Sequence, residues 1–343
     1  MRLTPALLAM VTLVGGFAAS TTMAATEITG AGSTFDNPFF SKAFRAYSEA
    51  HPDVTVRYEA IGSGAGILQF ISKSVDFGAS DVPMDAQELA EAREPVVQIP
   101  VTLGGEGIAY NLPGIGKGLK LTRAVIADIY LGKITKWDDP AIASLNPGVK
   151  LPSMPITVLH RSDDSGTTYI FTDFLSHVSP TWKRDVGAGK SVNWPAASNG
   201  SGGRGNEGIA ALVQRIPGAI GYVELSYLLQ SDMAYALLQN KAGKYVYPDI
   251  ATVAAAAATK PDLSSTNFSI VDTAEPDAYP ISGYSWVVLY KSPSEKQRGA
   301  LVSQIMNWLV TDGQPIAKTV DYVPMPDHVQ RQAREMLNQM QAK

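Results

Sequence analysis

Apolar and polar positions follow two periods that take turns along the chain. Val54, Val56, Tyr58 and Ala60 alternate with Thr55, Arg57 and Glu59, the period of a half-buried strand. Just before them, Phe40, Ala43, Phe44 and Tyr47 recur at helical spacing, with Pro38 in the first turn of a helix that starts near Asp36 or Asn37. The pairing repeats. TEITGAG (26–32) reads as a short strand feeding that helix. After GSGAG (62–66), Ile67, Phe70 and Ile71 share one face. VDFGASDVP (75–83) is a short buried run ending at Ser80 and Asp81, and Asp85 and Glu88 then form a D-x-x-E capping box. In PITVLH, Ile156 and Val158 alternate; beyond them Ile170, Phe171, Phe174, Leu175 and Val178 line a helix. Strands and helices in alternation predict an α/β fold.

Four of these strands end in small-residue or polar loops, three of them opening directly onto a helix. In open α/β sheets, ligands bind beyond the carboxyl ends of the strands. The loops offer the hydroxyls of Ser33, Thr34, Ser63, Ser165 and Thr167, together with N–H groups at helix starts, where an anion is favoured. The fourth loop, RSDDSGTT (161–168), adds Arg161, a permanent cation with a planar fork of donors, beside Asp163 and Asp164. Any one Ser or Thr in such a place is an ordinary helix cap; the repetition of one design is what points to a binding cleft. A further glycine run, SNGSGGRGNEG (198–208), contains G-x-G-x-x-G at Gly200, Gly202 and Gly205. Its upstream residues include Pro195 and make a poor parallel strand. It is therefore expected to be a flexible loop, with Asn206 capping the helix EGIAALVQRI, and not a dinucleotide site. The alanine-rich stretch 252–260 is a helix by propensity.

Composition narrows the chemistry. The 343 residues suggest about two domains, and 45% hydrophobic content supplies a core. With no cysteine, disulfides, zinc–thiolate sites and a cysteine nucleophile are excluded. His51, His160, His177 and His328 are scattered and form no metal motif. Residues 1–24 carry Arg2, an apolar run over 5–19 and small residues at Thr22 and Ala24, the pattern of a cleaved secretory signal peptide; no cysteine follows for a lipid anchor. The formal charge is −4, and cleavage removes Arg2 alone. No basic patch for nucleic acid is present, so an anionic ligand must be held by a local site.

The residues resemble a known family, the periplasmic phosphate-binding proteins of bacterial phosphate ABC transporters. The matching segments are TGAGSTF (29–35), VDFGASD (75–81), VTLGGEGIAY (101–110), DIYLGKITKWDDPAI (128–142), RSDDSGTT (161–168) and LVQRIPGAIGYVE (212–224), in the family's order. The resemblance implies a two-lobed type II periplasmic-binding-protein fold, each lobe a mixed sheet flanked by helices, closing on one phosphate in the cleft. It implies no enzyme activity and no cofactor. It further implies that the chain docks at the inner membrane only through a permease and ATPase complex. Carried over residue by residue, the phosphate ligands are Ser33, Thr34 and Phe35 from the first loop, Ser63 from the second, Asp81 from the third, and Arg161, Ser165, Gly166 and Thr167 from the fourth. Asp163 takes the place of the aspartate that braces the arginine. The family often has Ala at the position of Ser33, which leaves the role of that hydroxyl open, and often Gly at that of Asp164, which is expected to face solvent.

Physical chemistry assigns the odd member a role. Ionised Asp81 only accepts hydrogen bonds; phosphate has a proton to offer, and sulfate at neutral pH has none. A site that requires a ligand donor rejects an analogue lacking it by ~10⁴–10⁵. QIPVTLGGEGIAY and AYPISGYSWVVLY read as the strands crossing between lobes, giving one lobe of 25–102 plus 280–343 and another of 103–279. Two rival readings are a binding protein for another oxyanion such as sulfate or molybdate, against which Asp81 argues, and an exported phosphatase using His160, Asp163 and Ser165, whose spacing on one strand–turn–helix disfavours a triad. A scavenging or adhesive relative with the same fold would carry the same signals.

Overall fold

The computed structural model describes residues 25–340; the expected signal peptide lies outside the described residues. Its strands are β1 Thr26–Gly32, β2 Val54–Ala60, β3 Phe77–Ser80, β4 Val96–Tyr110, β5 Leu119–Leu121, β6 Thr157–Arg161, β7 Gly200–Gly203, β8 Ala219–Glu224, β9 Ala234–Gln239, β10 Tyr245–Val246 and β11 Ser282–Tyr290. Eight run in the order β2-β1-β3-β11-β4-β8-β6-β7, and β9, which carries β5 and β10, pairs with β4. Helices follow β1, β2, β3 and β6 at Asn37–Ala50, Ser63–Ile71, Ala86–Ala92 and Gly166–Val178.

β1 is parallel to both β2 and β3, and β6 is parallel to β7 and β8. β4 connects the two sets. Val96–Gly105 pairs antiparallel with β11, and Glu106–Tyr110 pairs antiparallel with β8. The change of partner between Gly105 and Glu106 makes β4 a strap between two half-sheets. We propose that the lobes divide at 102/103 and 279/280, near this change of partner.

The apolar stripes behave as their periods require. Phe39, Phe40, Ala43, Phe44 and Tyr47 are buried on the first helix, with Phe40 edge-on to Tyr58 of β2 at 4.8 Å between centroids. Burying each such ring contributes ~1.5–3 kcal/mol. The capping box is formed: Gln87 N and Glu88 N each donate to Asp85 Oδ1 at 2.9 Å, and Asp85 N donates to Glu88 Oε2 at 3.0 Å. The long segment 128–142 is structural. Ile129, Tyr130, Trp137 and Ile142 are fully buried, and Trp137 Nε1 donates to Gly218 O at 2.9 Å. Among the described residues, no helix is long and apolar enough to cross a membrane.

The glycine-rich stretch 198–208 differs from expectation. Gly200–Gly203 is a strand, β7, parallel to β6. Pro195 lies before it and is asked for no ladder hydrogen bond. Backbone comes close here: a Cβ on Gly203 would sit 3.0 Å from Gly208 C and from Ile209 N. Nor does Asn206 cap the following helix, Gly205–Arg215. Arg204 holds the cap position without a side-chain bond, and Asn206 lies inside the first turn.

Candidate functional site

Because β1, β3 and β6 run parallel within their half-sheets, their carboxyl-end loops converge between the halves. The backbones meet directly. Gly64 N donates to Asp164 O at 3.0 Å, and Gly166 N donates to Ser63 Oγ at 3.1 Å. Two glycines permit this approach. A Cβ on Gly64 would lie 2.4 Å from Asp164 Cβ, and one on Gly166 would lie 2.6 Å from Asp81 N. Asp164 itself is exposed, as expected.

Arg161 ends β6 with its side chain almost wholly buried. Nε donates to Asp163 Oδ1 at 2.8 Å and Nη2 to Asp163 Oδ2 at 2.5 Å, a bidentate fork. Nη1 donates to Thr167 Oγ1 at 3.3 Å. Half-burial pushes the Asp163 carboxyl up, but the Arg161 guanidinium outweighs it and holds the group below the usual carboxylate range. Gly205 N adds a bond to Asp163 Oδ1 at 3.2 Å.

Asp81 sits opposite, at the end of β3, in a different environment. Ser285 Oγ donates to its Oδ1 at 2.9 Å, and the longer contact from Thr167 Oγ1 to Oδ2 spans 3.4 Å. Burial pushes this carboxyl up to about 6, offset in part by the Ser33 and Ser285 hydroxyls and by Arg161. The β11–β4 register shifts beside Ser285, where β4 carries the extra residue Val101. Ser285 Oγ also lies 2.6 Å from Asp36 Oδ2. One hydroxyl has one hydrogen and cannot donate to two carboxylates. One of the two carboxyls must therefore bring its own proton, and burial and the nearby Asp81 charge raise the Asp36 pKa well above the ordinary value. Behind the site Glu106 and Glu224 are directly opposed on β4 and β8. Burial pushes Glu224 up to about 8 and Glu106 well above its ordinary range.

The hydroxyls share a pattern. Ser63 Oγ accepts from Gly166 N at 3.1 Å and Asp81 N at 3.4 Å. Thr34 Oγ1 accepts from Asn206 N at 3.1 Å and Nδ2 at 3.0 Å. A hydroxyl has two acceptor lone pairs and one hydrogen. With their lone pairs filled by protein N–H groups, Ser63 and Thr34 retain only the ability to donate. Other expected ligands are engaged within the protein. Phe35 N donates to Ser33 Oγ at 2.9 Å, Ser165 N donates to Lys190 O at 2.9 Å, and Ser165 Oγ accepts from Thr168 N at 3.1 Å as a helix cap.

His160, Asp163 and Ser165 do not assemble as a triad. His160 bonds through Nδ1 to Arg161 O and stacks on Trp194, Asp163 holds Arg161, and Ser165 caps its helix. Among the described residues, no group of His, Asp and Glu is arranged to hold a metal ion. In a surface pocket beside β11, Lys73 pairs with Glu94 and Arg298 with Asp76.

A family model described as a PBP superfamily domain matches residues 18–313. The phosphate-binding protein PstS of Pasteurella multocida is 45% identical over 91% of this chain and 89% of the relative. The chain belongs to the PstS phosphate-binding protein family. PstS of Xylella fastidiosa is 42% identical over 89% of this chain and 83% of its own length. The fold is also that of a solved phosphate-binding protein from Stenotrophomonas maltophilia, with a TM-score of 0.71 over 90% of this chain and 93% of the other at 20% identity. The fold class is thus the two-lobed type II periplasmic-binding-protein fold. The structure adds neighbours of these loops that sequence reasoning does not single out as site residues: Asn206, Ser285, and Tyr222, whose hydroxyl accepts from Arg161 N at 3.1 Å. Asn206 looked like a helix cap and Ser285 like any strand serine; nothing local marked them.

Proposed function

We propose that this chain binds inorganic phosphate in the cleft between its lobes, in the periplasm, and delivers it to the permease of an ABC transporter. It acts as a binding protein and not as an enzyme. The reading rests on family membership and on one observation above all: Ser63 and Thr167, from loops of the two halves, both bond to buried Asp81, Arg161 bonds to Thr167, and Asn206 links Thr167 to Thr34. Oriented dipoles and one braced cation hold an oxyanion strongly where water is excluded. Bonds such as Gly166 N to Ser63 Oγ would be exchanged for charge-assisted bonds to the anion. Asp81 accepts the phosphate O–H, and sulfate, with no hydrogen to give, meets a carboxylate charge in a low-dielectric site.

Calorimetric titration of the mature chain, stripped of any carried-over anion, is expected to show one phosphate site and far weaker sulfate binding. Small-angle scattering is expected to show a smaller radius of gyration with phosphate, as lobes hinged on β4 close. Sulfate binding as strong as phosphate binding would overturn the reading. Recovery of the protein from the periplasmic fraction with an N-terminus near Ala25 tests its location, and an intact Met1 on that material would contradict it.

A further inference from the structure

Asn206 is fully buried, and both hydrogens and the oxygen of its carboxamide are hydrogen-bonded. The oxygen Oδ1 accepts from Glu224 N at 3.0 Å, at the end of β8. That bond fixes which way the amide faces, because a flipped amide would set N–H against N–H. The two Nδ2 hydrogens are then directed at two hydroxyls from different halves of the molecule. One goes to Thr34 Oγ1 at 3.0 Å, beyond β1, and the other to Thr167 Oγ1 at 3.2 Å, in the first turn of the helix Gly166–Val178. The Asn206 backbone N–H adds a second bond to Thr34 Oγ1 at 3.1 Å.

Counting lone pairs gives the consequence. Thr34 Oγ1 receives two N–H groups from Asn206 and has no acceptor capacity left. Thr167 Oγ1 receives Asn206 Nδ2 and Arg161 Nη1, and it too is full. Each threonine is left with one hydrogen to donate; that of Thr167 is directed at Asp81 Oδ2 across 3.4 Å, a long contact that a bound anion would replace. Without Asn206, each hydroxyl could turn and accept, which gives nothing to an anion and would have to be undone on binding. Thr34 and Asn206 also stand on opposite sides of the cleft, so these bonds form only as the halves meet.

We propose that Asn206 is a positioning residue for anion binding: it fills the acceptor sites of Thr34 and Thr167 and so commits both hydroxyls, one from each lobe, to donate to the bound anion in the closed cleft. This rests on the phosphate reading above. A ligand rich in acceptors, such as phosphate, gains from it.

The test uses the mature, full-length chain, with phosphate affinity by calorimetry and rates by stopped-flow fluorescence. Asn206→Ala is expected to weaken phosphate binding ~10–100-fold, the loss expected for a residue that orients the groups touching a ligand. Most of the change should lie in the dissociation rate, since donor orientation matters once the cleft is closed. Asn206→Asp keeps the acceptor for Glu224 N and the shape of the side chain, and it serves if the alanine variant does not fold. Its carboxylate would draw the threonine hydrogens away from the anion, so it is expected to lose more than alanine does. The decisive readout is coupling. In a Thr34→Val background, Asn206→Ala should cost at most ~5-fold further, because part of what it acts through is already gone. Full multiplicative losses in the double variant, or an Asn206→Ala affinity within about twofold of wild type, would overturn the proposal while leaving phosphate binding by the wild type intact. A wild-type chain that does not bind phosphate would overturn both.

Discussion

Asp81 and Asp163 are the same residue type, on loops that meet in one cleft, yet their environments drive them apart. Asp163, beyond β6, grips Arg161 with both oxygens and is held below the ordinary carboxylate range. Asp81, beyond β3, is buried among hydroxyls with no cation in direct contact, and its pKa rises to about 6. One aspartate is permanently charged and serves to hold a cation still. The other sits within reach of a proton and can respond to one. Partner and solvent access, and not residue type, set the two carboxyls apart.

The largest expected effect falls on Asp81. Asp81→Asn keeps an oxygen to accept the phosphate O–H but removes the charge and lets the amide donate to sulfate. The phosphate-over-sulfate preference is expected to drop ~10⁴-fold in competitive calorimetry. Continued exclusion of sulfate would remove Asp81 as the selector. Arg161→Ala should act the other way round. It removes a charged donor from both anions, so phosphate affinity falls ~10²–10³-fold while the preference stays nearly intact.

A pH series sharpens the contrast without mutation. A carboxyl raised to about 6 is ionised at pH 8 and gains its proton as the pH falls toward 6. Protonated Asp81 no longer repels sulfate and can donate to it. Sulfate affinity should therefore rise about tenfold per pH unit from 8 down to 6 and level off below, and Asp81→Asn should abolish that slope. A flat wild-type profile would show that sulfate is excluded by something other than this carboxylate.

The smallest effect is expected at Asp163. Asp163→Asn loosens Arg161 but also removes a negative charge beside the anion, and the two consequences oppose each other. Phosphate affinity should stay within about tenfold of wild type, well above Arg161→Ala, with no change in selectivity. A loss as deep as that of Arg161→Ala would mean that the brace contributes as much as the cation it holds.

The alternation of residues 54–60, the stripe from Phe40 to Tyr47 and the Asp85–Glu88 capping box were legible in the sequence because side-chain period and helix capping are properties of neighbouring residues. The four loops could be read too, since a cleft at the carboxyl ends of parallel strands is written as strand, polar turn and helix. What the sequence alone could not reveal lies in pairs far apart in the chain. Gly200–Gly203 became a strand because β6 lay beside it and bare glycine backbone fitted there. Asn206, which reads like a helix cap, turned instead to Thr34, 172 residues away. Ser285 came between Asp36 and Asp81, residues more than 200 positions away in the chain. Local pattern fixes which elements form, since it is set by bonded neighbours. Which hydroxyl faces which carboxylate, and which carboxylate keeps its proton, depends on burial and on partners that only the folded chain brings within 3 Å.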